Sequence, residues 1–187
     1  MSDHNVQGSA AWLAFRKTRI TATDAVAIMG ASKYKTVKQL YIEKTTDVAP
    51  MIPNKYMQRG IDLEPVAREL LSLALGIPLF PKVVLGREHD WMMASLDGIS
   101  EDGNTVIERK CPNKKCQLAY QGQIPDWYYP QVQHQMSVTG VDKVYYYSFD
   151  GIDGDMVIVP RDDAYISVMI EKEKEFYNCM MAGISPE

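Results

Sequence analysis

The chain has 187 residues, of which 46% are hydrophobic and 24% are charged, and its formal net charge is −4. These proportions are typical of a folded domain and exclude a disordered chain, and the length allows one domain with its own core. No apolar run reaches the roughly 18 residues of a membrane-spanning helix, and the first residues lack the pattern of a secretory signal. Three cysteines, at spacings that fit neither a zinc site nor a disulfide framework, indicate reduced thiols and a cytoplasmic protein.

The charge is distributed unevenly along the chain. Residues 1–60 carry nine Lys or Arg and four Asp or Glu, a net charge of +5, whereas residues 61–187 carry eleven and twenty, a net charge of −9. Such an asymmetry favours a polyanionic partner for the basic segment and leaves carboxylates for metal binding in the acidic one. From composition alone, a chance imbalance on a solvated surface is the simpler explanation.

Helices separated by capping residues are predicted in the first part of the chain. Because Pro65 cannot continue a helix without losing a hydrogen bond, we expect the last of these segments to break near Asp62. The expected boundaries are, in chain order, Ser9 or Gly8 to Thr18, Thr23 to Gly30, Thr36 to Thr45, Asn54 to Asp62, and Asp62 to Gly76.

The middle of the chain changes to patterns typical of β-strands, and helices and strands then alternate to the end. This order predicts an α/β (α+β) fold, with a sheet flanked by helices, in a single domain over residues 1–187. The expected strands are 79–85, 91–95, 104–110, 143–150 and 154–160, and the expected helices are 127–140, capped by Asp126, and 162–181.

A hairpin over the second and third strands brings two carboxylates together. A two-residue loop at Asp102-Gly103 places Asp97 opposite Glu108, with Lys110 on the same face. Facing carboxylates repel each other unless a cation lies between them, and Mg²⁺ prefers such oxygen ligands. The alternative is that Glu108 and Lys110 are ordinary solvent-facing residues on an edge strand and that Asp97 begins a turn.

Residues 94–98 and 107–112 resemble the PD-(D/E)xK nuclease core, and more specifically the lambda-exonuclease, or YqaJ-type, viral recombinase family. Further blocks match the family pattern in the right order over residues 12–140. They are Trp12…Arg16…Ile20-Thr21-Ala22-Thr23, Arg59-Gly60…Glu64…Ala67-Arg68, and Gln131-Val132-Gln133…Gly140. Two positions depart from the pattern, because Leu96 replaces the usual Pro and Thr23 replaces the usual Ser.

The resemblance implies a restriction-endonuclease-like core with a central mixed sheet and a catalytic metal. Asp97, Glu108 and the backbone carbonyl of Arg109 would hold Mg²⁺, which Mn²⁺ can replace at similar oxygen sites. The side chain of Arg109 is expected on the opposite face of the strand. Glu64 would complete the acidic site, and two ions would stabilise the attacking and leaving oxygens.

Further roles follow from the same resemblance. Lys110 would orient or deprotonate the attacking water, and Gln131 would position the catalytic groups, with Gln133 a weaker candidate. Arg16, Thr23 and Ser95 would bind a terminal 5′-phosphate, for which a guanidinium and hydroxyl groups are suitable donors. Without the family match, Thr23 reads as a helix-capping residue and Arg16 as part of a solvated helix face.

Other residues give weaker signals. Lys114 and Lys115 are candidate phosphate contacts. The aromatic runs 127–129 and 145–147 are candidates for base stacking, although strand and helix cores use aromatic residues more often.

The resemblance implies a Mg²⁺-dependent 5′–3′ exonuclease that digests double-stranded DNA from a 5′-phosphorylated end and leaves a 3′ single strand. A single-strand annealing protein would be its partner in phage-type recombination, in the cytoplasm of a bacterial or phage-infected cell. The family also implies a ring-shaped homotrimer. Two alternatives stay open: a structure-specific or restriction-type endonuclease on the same core, and a non-catalytic module that binds DNA ends.

Overall fold

The computed structural model describes residues 8–47, 52–112, 119 and 121–186. Within these ranges the chain forms a six-stranded mixed sheet with helices against it, which confirms the predicted α/β class. The strands are β1 Ile20–Thr21, β2 Leu79–Leu85, β3 Met92–Ser100, β4 Val106–Lys110, β5 Lys143–Phe149 and β6 Gly154–Pro160. The helices are α1 Ala10–Lys17, α2 Ala22–Ile28, α3 Val37–Thr45, α4 Lys55–Leu75, α5 Tyr129–Thr139 and α6 Asp163–Ala182.

Strand β3 is the centre of the sheet. It pairs antiparallel with β2 over most of its length, parallel with the short β1 near its start, and antiparallel with β4 near its end. Strand β4 then pairs parallel with β5, and β5 pairs antiparallel with β6. The parallel pairing of β4 and β5 requires a crossover connection, and α5 lies in that connection.

The hairpin register is the predicted one, although its loop is longer. Gly98 pairs with Ile107, and the amide of Ser100 donates to the carbonyl of Thr105 at 2.9 Å. Four residues, 101–104, therefore form the loop instead of two. Gly98 lies inside β3 and does not form a turn, and a Cβ atom at this position would lie only 2.7 Å from Cγ1 of Ile107. The two strands are thus packed closely at the residue that follows Asp97.

The predicted break near Asp62 is wrong, because α4 is one helix of 21 residues with Pro65 inside it. Pro65 is exposed, so the carbonyl that loses its hydrogen-bond donor lies on the solvent side of the helix. Ala67 and Leu71 on the other side are buried against β2 and β4, and this packing outweighs the lost bond. A continuous α4 carries Gly60, Glu64 and Arg68 along one face.

Helix α5 begins later than predicted. Residues 126–128 form a turn of 3₁₀ helix, Asp126 gives no side-chain cap, and Pro130 lies in the first turn of α5. The helix ends at Gly140, as expected, in the left-handed conformation with φ of 79°. Eight of its eleven residues are buried, several of them polar.

The main core lies where α2, α5 and α6 pack on one face of the sheet, and a smaller cluster lies under α4. Ser9 and Thr36 cap α1 and α3 as predicted, and Asp162 caps α6; each accepts a hydrogen bond from a backbone amide of its helix. In the described part of the chain, no helix combines the length and apolarity that a bilayer crossing requires.

Candidate active site

Asp97 and Glu108 occupy the next cross-strand position after the Gly98–Ile107 pair, as the predicted register requires. The Asp97 carboxylate accepts a hydrogen bond of 3.0 Å from the backbone amide of Arg109. The Glu108 side chain is only 2% exposed, and that of Asp97 is 19% exposed. The hairpin therefore holds two carboxylates together at the edge of the core.

The electrostatics of this pair are unfavourable without a cation. Burial raises the pKa of Asp97 to about 7, and the neighbouring carboxylate of Glu108 adds to the rise, against the opposing effect of Arg109 and Lys110. Two like charges in a site with little water can persist only when a cation compensates them. The pair is thus prepared for a positively charged ligand.

The Glu108 carboxylate is held in place by three side chains. Oε1 accepts hydrogen bonds from Lys110 Nζ at 2.5 Å and from Gln131 Nε2 at 2.7 Å, and Oε2 accepts one from Gln135 Nε2 at 2.5 Å. Gln131 also accepts a hydrogen bond of 3.2 Å from Lys110. These donors stabilise the ionised carboxylate and fix its orientation.

Lys110 lies on the same face as Glu108, as predicted. Burial opposes its charge, but the carboxylates of Glu108 and Asp97 outweigh burial and raise the pKa of Lys110. A protonated amine is a hydrogen-bond donor only. Of the two roles predicted for Lys110, orienting a water or phosphate oxygen therefore fits this geometry better than removing a proton.

Glu64 does not join the carboxylate pair directly. Its Oε2 forms an ion pair with Arg109 Nη2, and its Oε1 lies 3.1 Å from Arg68 Nη1. The Arg109 side chain does extend toward α4, but it does not leave the site as expected, because its Nε lies 3.8 Å from Asp97 Oδ2. The side chain of Arg109 leaves β4 on the predicted face. It is long enough, however, for its guanidinium to lie near the carboxylates of Asp97 and Glu64.

The three residues expected to bind a 5′-phosphate lie near one another on α1, α2 and β3. Arg16 Nη2 donates to Thr23 Oγ1 at 2.6 Å, and the indole of Trp12 donates to Ser95 Oγ at 3.1 Å. The guanidinium of Arg16 lies 5.1 Å from the centre of the Trp12 ring. The Trp12 ring therefore links these two hydrogen-bonded pairs in one patch.

Both groups of residues line a single cleft of about 1150 Å³. The polar lining includes Arg16, Thr23, Ser95, Asp97, Glu108, Lys110 and Gln131, and the aromatic lining includes Trp12, Tyr34, Tyr56, Trp127, Tyr128 and Tyr146. The cleft thus places a basic and hydroxyl-bearing patch beside the carboxylate pair, between aromatic walls.

The sequence analysis did not identify every residue that contacts the carboxylate pair, and one predicted residue has a different role in the structure. Gln133 binds the carbonyl of Pro160 and the amide of Asp162, at 2.9 and 3.0 Å, away from the carboxylates. Gln135, for which the sequence analysis made no prediction, takes the position beside Glu108 that was expected of Gln133. Its separation of four residues from Gln131, on one helix face, was the available signal. Lys114 and Lys115 lie outside the described residues.

The carboxylate pair fits one hard divalent cation. Asp97, Glu108 and the Arg109 carbonyl offer oxygen ligands of the kind that Mg²⁺ and Mn²⁺ prefer. Burial and the neighbouring Glu108 raise the pKa of Asp97, so a bound cation would favour its ionised form. Among the residues that the structure describes, no three His, Cys, Asp or Glu side chains cluster as a ligand set. This agrees with the engagement of Glu64 by two arginines.

A family model described as the YqaJ-like viral recombinase domain matches residues 11–142. Among curated proteins, the chain is similar to the uncharacterized protein YqaJ of Bacillus subtilis, with 26% identity over 179 residues. The match covers 92% of this chain and 56% of the Bacillus protein, so the chain spans little more than half the length of that relative.

Solved structures give the same picture. An alkaline exonuclease from Laribacter hongkongensis, LHK-Exo, is 26% identical with a TM-score of 0.79, and 94% of each chain is covered. The same enzyme in complex with dAMP superposes with a TM-score of 0.80. A phage-related exonuclease from Haemophilus somnus, 17% identical with a TM-score of 0.63 over 88% of this chain and 96% of that one, shares the fold.

Proposed function

The chain belongs to the YqaJ-like viral recombinase domain family, and we propose that it is a DNA exonuclease dependent on a divalent cation. The observation that carries the proposal is the single cleft in which Arg16, Thr23 and Ser95 lie beside Asp97 and Glu108. One patch suits a terminal phosphate, and the other suits a cation at a phosphodiester. The similarity to LHK-Exo, an alkaline exonuclease, supports the same reaction.

In this proposal Asp97, Glu108 and the carbonyl of Arg109 hold Mg²⁺. When bound, the ion supplies a Lewis acid for the developing charge and lowers the pKa of the attacking water. Gln131 and Gln135 keep the Glu108 carboxylate in one orientation through their amide donors. Lys110, held charged between Glu108 and Gln131, orients the water or the phosphate oxygen.

The direction of digestion follows from the terminal-phosphate patch. Arg16 offers a charged donor group, and Thr23 and Ser95 offer hydroxyls, to a 5′-phosphate that enters the cleft. We propose that the enzyme digests duplex DNA from such ends in the 5′–3′ direction and leaves a 3′ single strand. Tyr34 and Trp127, which face the cleft, offer ring surfaces to unpaired bases.

The biological setting is proposed from the family. Residues 1–187 would act as one nuclease domain, in a ring-shaped trimer that surrounds the duplex. A single-strand annealing protein would take over the exposed 3′ strand in phage-type recombination, in the cytoplasm of a bacterial or phage-infected cell.

One experiment separates this function from its alternatives. Linear duplex DNA with a 5′-phosphate, the same duplex with a 5′-hydroxyl, and a closed circle are incubated with the chain, with and without Mg²⁺. We expect Mg²⁺-dependent release of nucleotides, fastest from the phosphorylated end, and an intact circle. Cleavage of the circle would indicate an endonuclease, and binding without release of nucleotides would indicate a non-catalytic end-binding module.

A further inference from the structure

The guanidinium of Arg109 lies between two carboxylates that belong to different elements. Nη2 pairs with Glu64 on α4, and Nε lies 3.8 Å from Asp97 Oδ2 on β3. Nη1 donates to the carbonyl of Gly60 at 3.0 Å, which fixes the plane of the group. The guanidinium of Arg109, a permanent cation, thus occupies the space between the carboxylates of Glu64 and Asp97.

We propose that Arg109 supplies the second positive charge of the site, so that the chain binds one divalent cation, between Asp97 and Glu108, and not two. This inference rests on the proposed nuclease function and specifies how its charge is arranged. Glu64 is then a positioning residue that holds Arg109 and does not act as a metal ligand.

The arginine is well held in this position. Its side chain is only 10% exposed, and the carboxylates of Glu64 and Asp97 lie within ion-pair distance of its guanidinium. Its buried Nε–H has no hydrogen-bond partner within the described residues, so this donor still faces the region of Asp97. Movement of Arg109 away from the site would leave Glu64 with Arg68 as its remaining cation.

The local charges also favour a single divalent ion. Three acids, Asp97, Glu108 and Glu64, lie among three basic side chains, Arg109, Lys110 and Arg68. One divalent cation leaves an excess of two positive charges to receive the phosphates of a DNA end, whereas two would leave an excess of four. Arg68 donates to the backbone carbonyl of Asp97 at 2.7 Å and does not approach its carboxylate, so it does not share the role of Arg109.

The test counts bound Mn²⁺ ions per chain on the 187-residue chain without DNA, by electron paramagnetic resonance during a titration. We expect one ion for the wild type and none for Asp97→Asn. Arg109→Leu vacates the space beside Glu64 and should bind two ions, and the double variant Arg109→Leu/Glu64→Gln should return to one. Arg68→Leu is the matched control, which removes the other arginine of Glu64 and should stay at one.

Two ions on the wild type, or one ion on a folded Arg109→Leu chain, would overturn the inference. A wild-type count of two would overturn the inference even if Arg109→Leu does not fold. A wild type that digests DNA and binds two ions contradicts only the role of Arg109. A wild type that binds one ion and releases no nucleotides contradicts the proposed function instead.

Discussion

Asp24 on α2 and Asp97 on β3 are both enclosed by the fold, but the fold shifts the pKa values of the two carboxyl groups in opposite directions. The Asp24 carboxylate lies 2.6 Å from Lys44 Nζ and accepts hydrogen bonds from the amide and hydroxyl of Thr21. Burial opposes its charge, yet Lys44 outweighs burial and lowers the pKa of Asp24. For Asp97 burial and Glu108 prevail, and the pKa rises to about 7.

The difference separates a structural acid from a functional one. The charge of Asp24 is compensated inside the chain, and Lys44 also donates to the carbonyls of Arg16 and Arg19, so this pair fixes the end of α1. The charge of Asp97 is offset only in part by Arg109 and Lys110, because burial and Glu108 outweigh them, and this favours the binding of an external cation. Perturbed carboxylates of the second kind mark candidate active sites.

The largest expected effect is the loss of digestion in Asp97→Asn. Removal of a metal ligand should lower the rate about 10³-fold or more, because the cation supplies several kcal/mol of charge stabilisation in the transition state. The free energy of unfolding should stay equal or increase, since repulsion from Glu108 is relieved. Nucleotide release and urea denaturation measure both quantities, and a less stable variant would contradict the contrast with Asp24.

Asp24→Asn should do the reverse, since it leaves Lys44 charged and buried without its acid. We expect a loss of about 3 to 5 kcal/mol in the free energy of unfolding, as for other broken buried ion pairs. Asp47→Asn is the matched control, because Asp47 pairs with Lys17 at the surface and should show no measurable change. Equal stability of the two variants would remove the structural role of Asp24.

Gln135→Ala tests how strictly Glu108 is held. Loss of its donor to Glu108 Oε2 should reduce digestion or metal affinity by about 10- to 100-fold, as for other residues that orient a ligand. Gln133→Ala on the same helix removes bonds to Pro160 and Asp162 and should lower stability without this loss of rate. Equal rates for the two folded variants would contradict the positioning role.

Arg16→Ala tests the phosphate patch that the Asp24–Lys44 pair supports. A hydrogen bond to a charged group contributes about 1.5 to 3 kcal/mol, so digestion from 5′-phosphorylated ends should fall at least about 10-fold. Digestion from 5′-hydroxyl ends should change much less. An equal loss on both kinds of end would argue against a phosphate contact for Arg16.

The smallest effect concerns His134, a buried base on α5. Its ring nitrogens lie 2.8 Å from Glu173 Oε1 and 3.1 Å from the Met93 carbonyl, and although burial opposes its charge, Glu173, Met93 and Asp24 raise the pKa of His134. The folded state therefore holds the proton more tightly than an unfolded histidine with a pKa of about 6.5. This contribution is complete below about pH 6.5 and is lost as the pH rises through the folded-state pKa.

Glu173→Gln should remove most of that pH dependence. The neutral amide keeps a hydrogen bond to His134, which can then lose its proton, so we expect a loss on the order of 1 kcal/mol at pH 6 and a flatter curve up to pH 9. Denaturation curves across this range provide the measurement. A variant that loses stability equally at all pH values would show that Glu173 acts by packing alone.

Much of the fold was predictable because local signals agreed with the packing. The hairpin register followed from strand alternation and a turn at Gly103, whose φ of 77° favours glycine. The continuity of α4 through Pro65 was not predictable from the sequence. Burial of Ala67 and Leu71 outweighs the lost hydrogen bond, and this burial depends on tertiary contacts. Asp126 resembles a helix cap in sequence, but a 3₁₀ turn precedes α5.

The site divides in the same way. Asp97, Glu108 and Lys110 follow from register alone, whereas the pairing of Glu64 with Arg109 depends on where α4 crosses the sheet. The sequence correctly indicates that Arg109 leaves β4 on the other face, but not that its guanidinium returns to Asp97. Whether Gln133 or Gln135 faces Glu108 depends on the rotation of α5 about its axis, and a short sequence motif does not determine that rotation.

Helix α5 connects the catalytic groups to the rest of the molecule through its polar side chains. Gln131 and Gln135 bind Glu108 on β4, Gln133 binds the loop after β6, and His134 joins β3 to α6. A helix tied to so many elements cannot open on its own. Amide hydrogens of α5 should therefore exchange with solvent only at the rate of global unfolding. The arrangement of Glu108 with Gln131 and Gln135 would then persist as long as the chain stays folded. Any movement of the protein when DNA binds would be confined to the walls of the cleft.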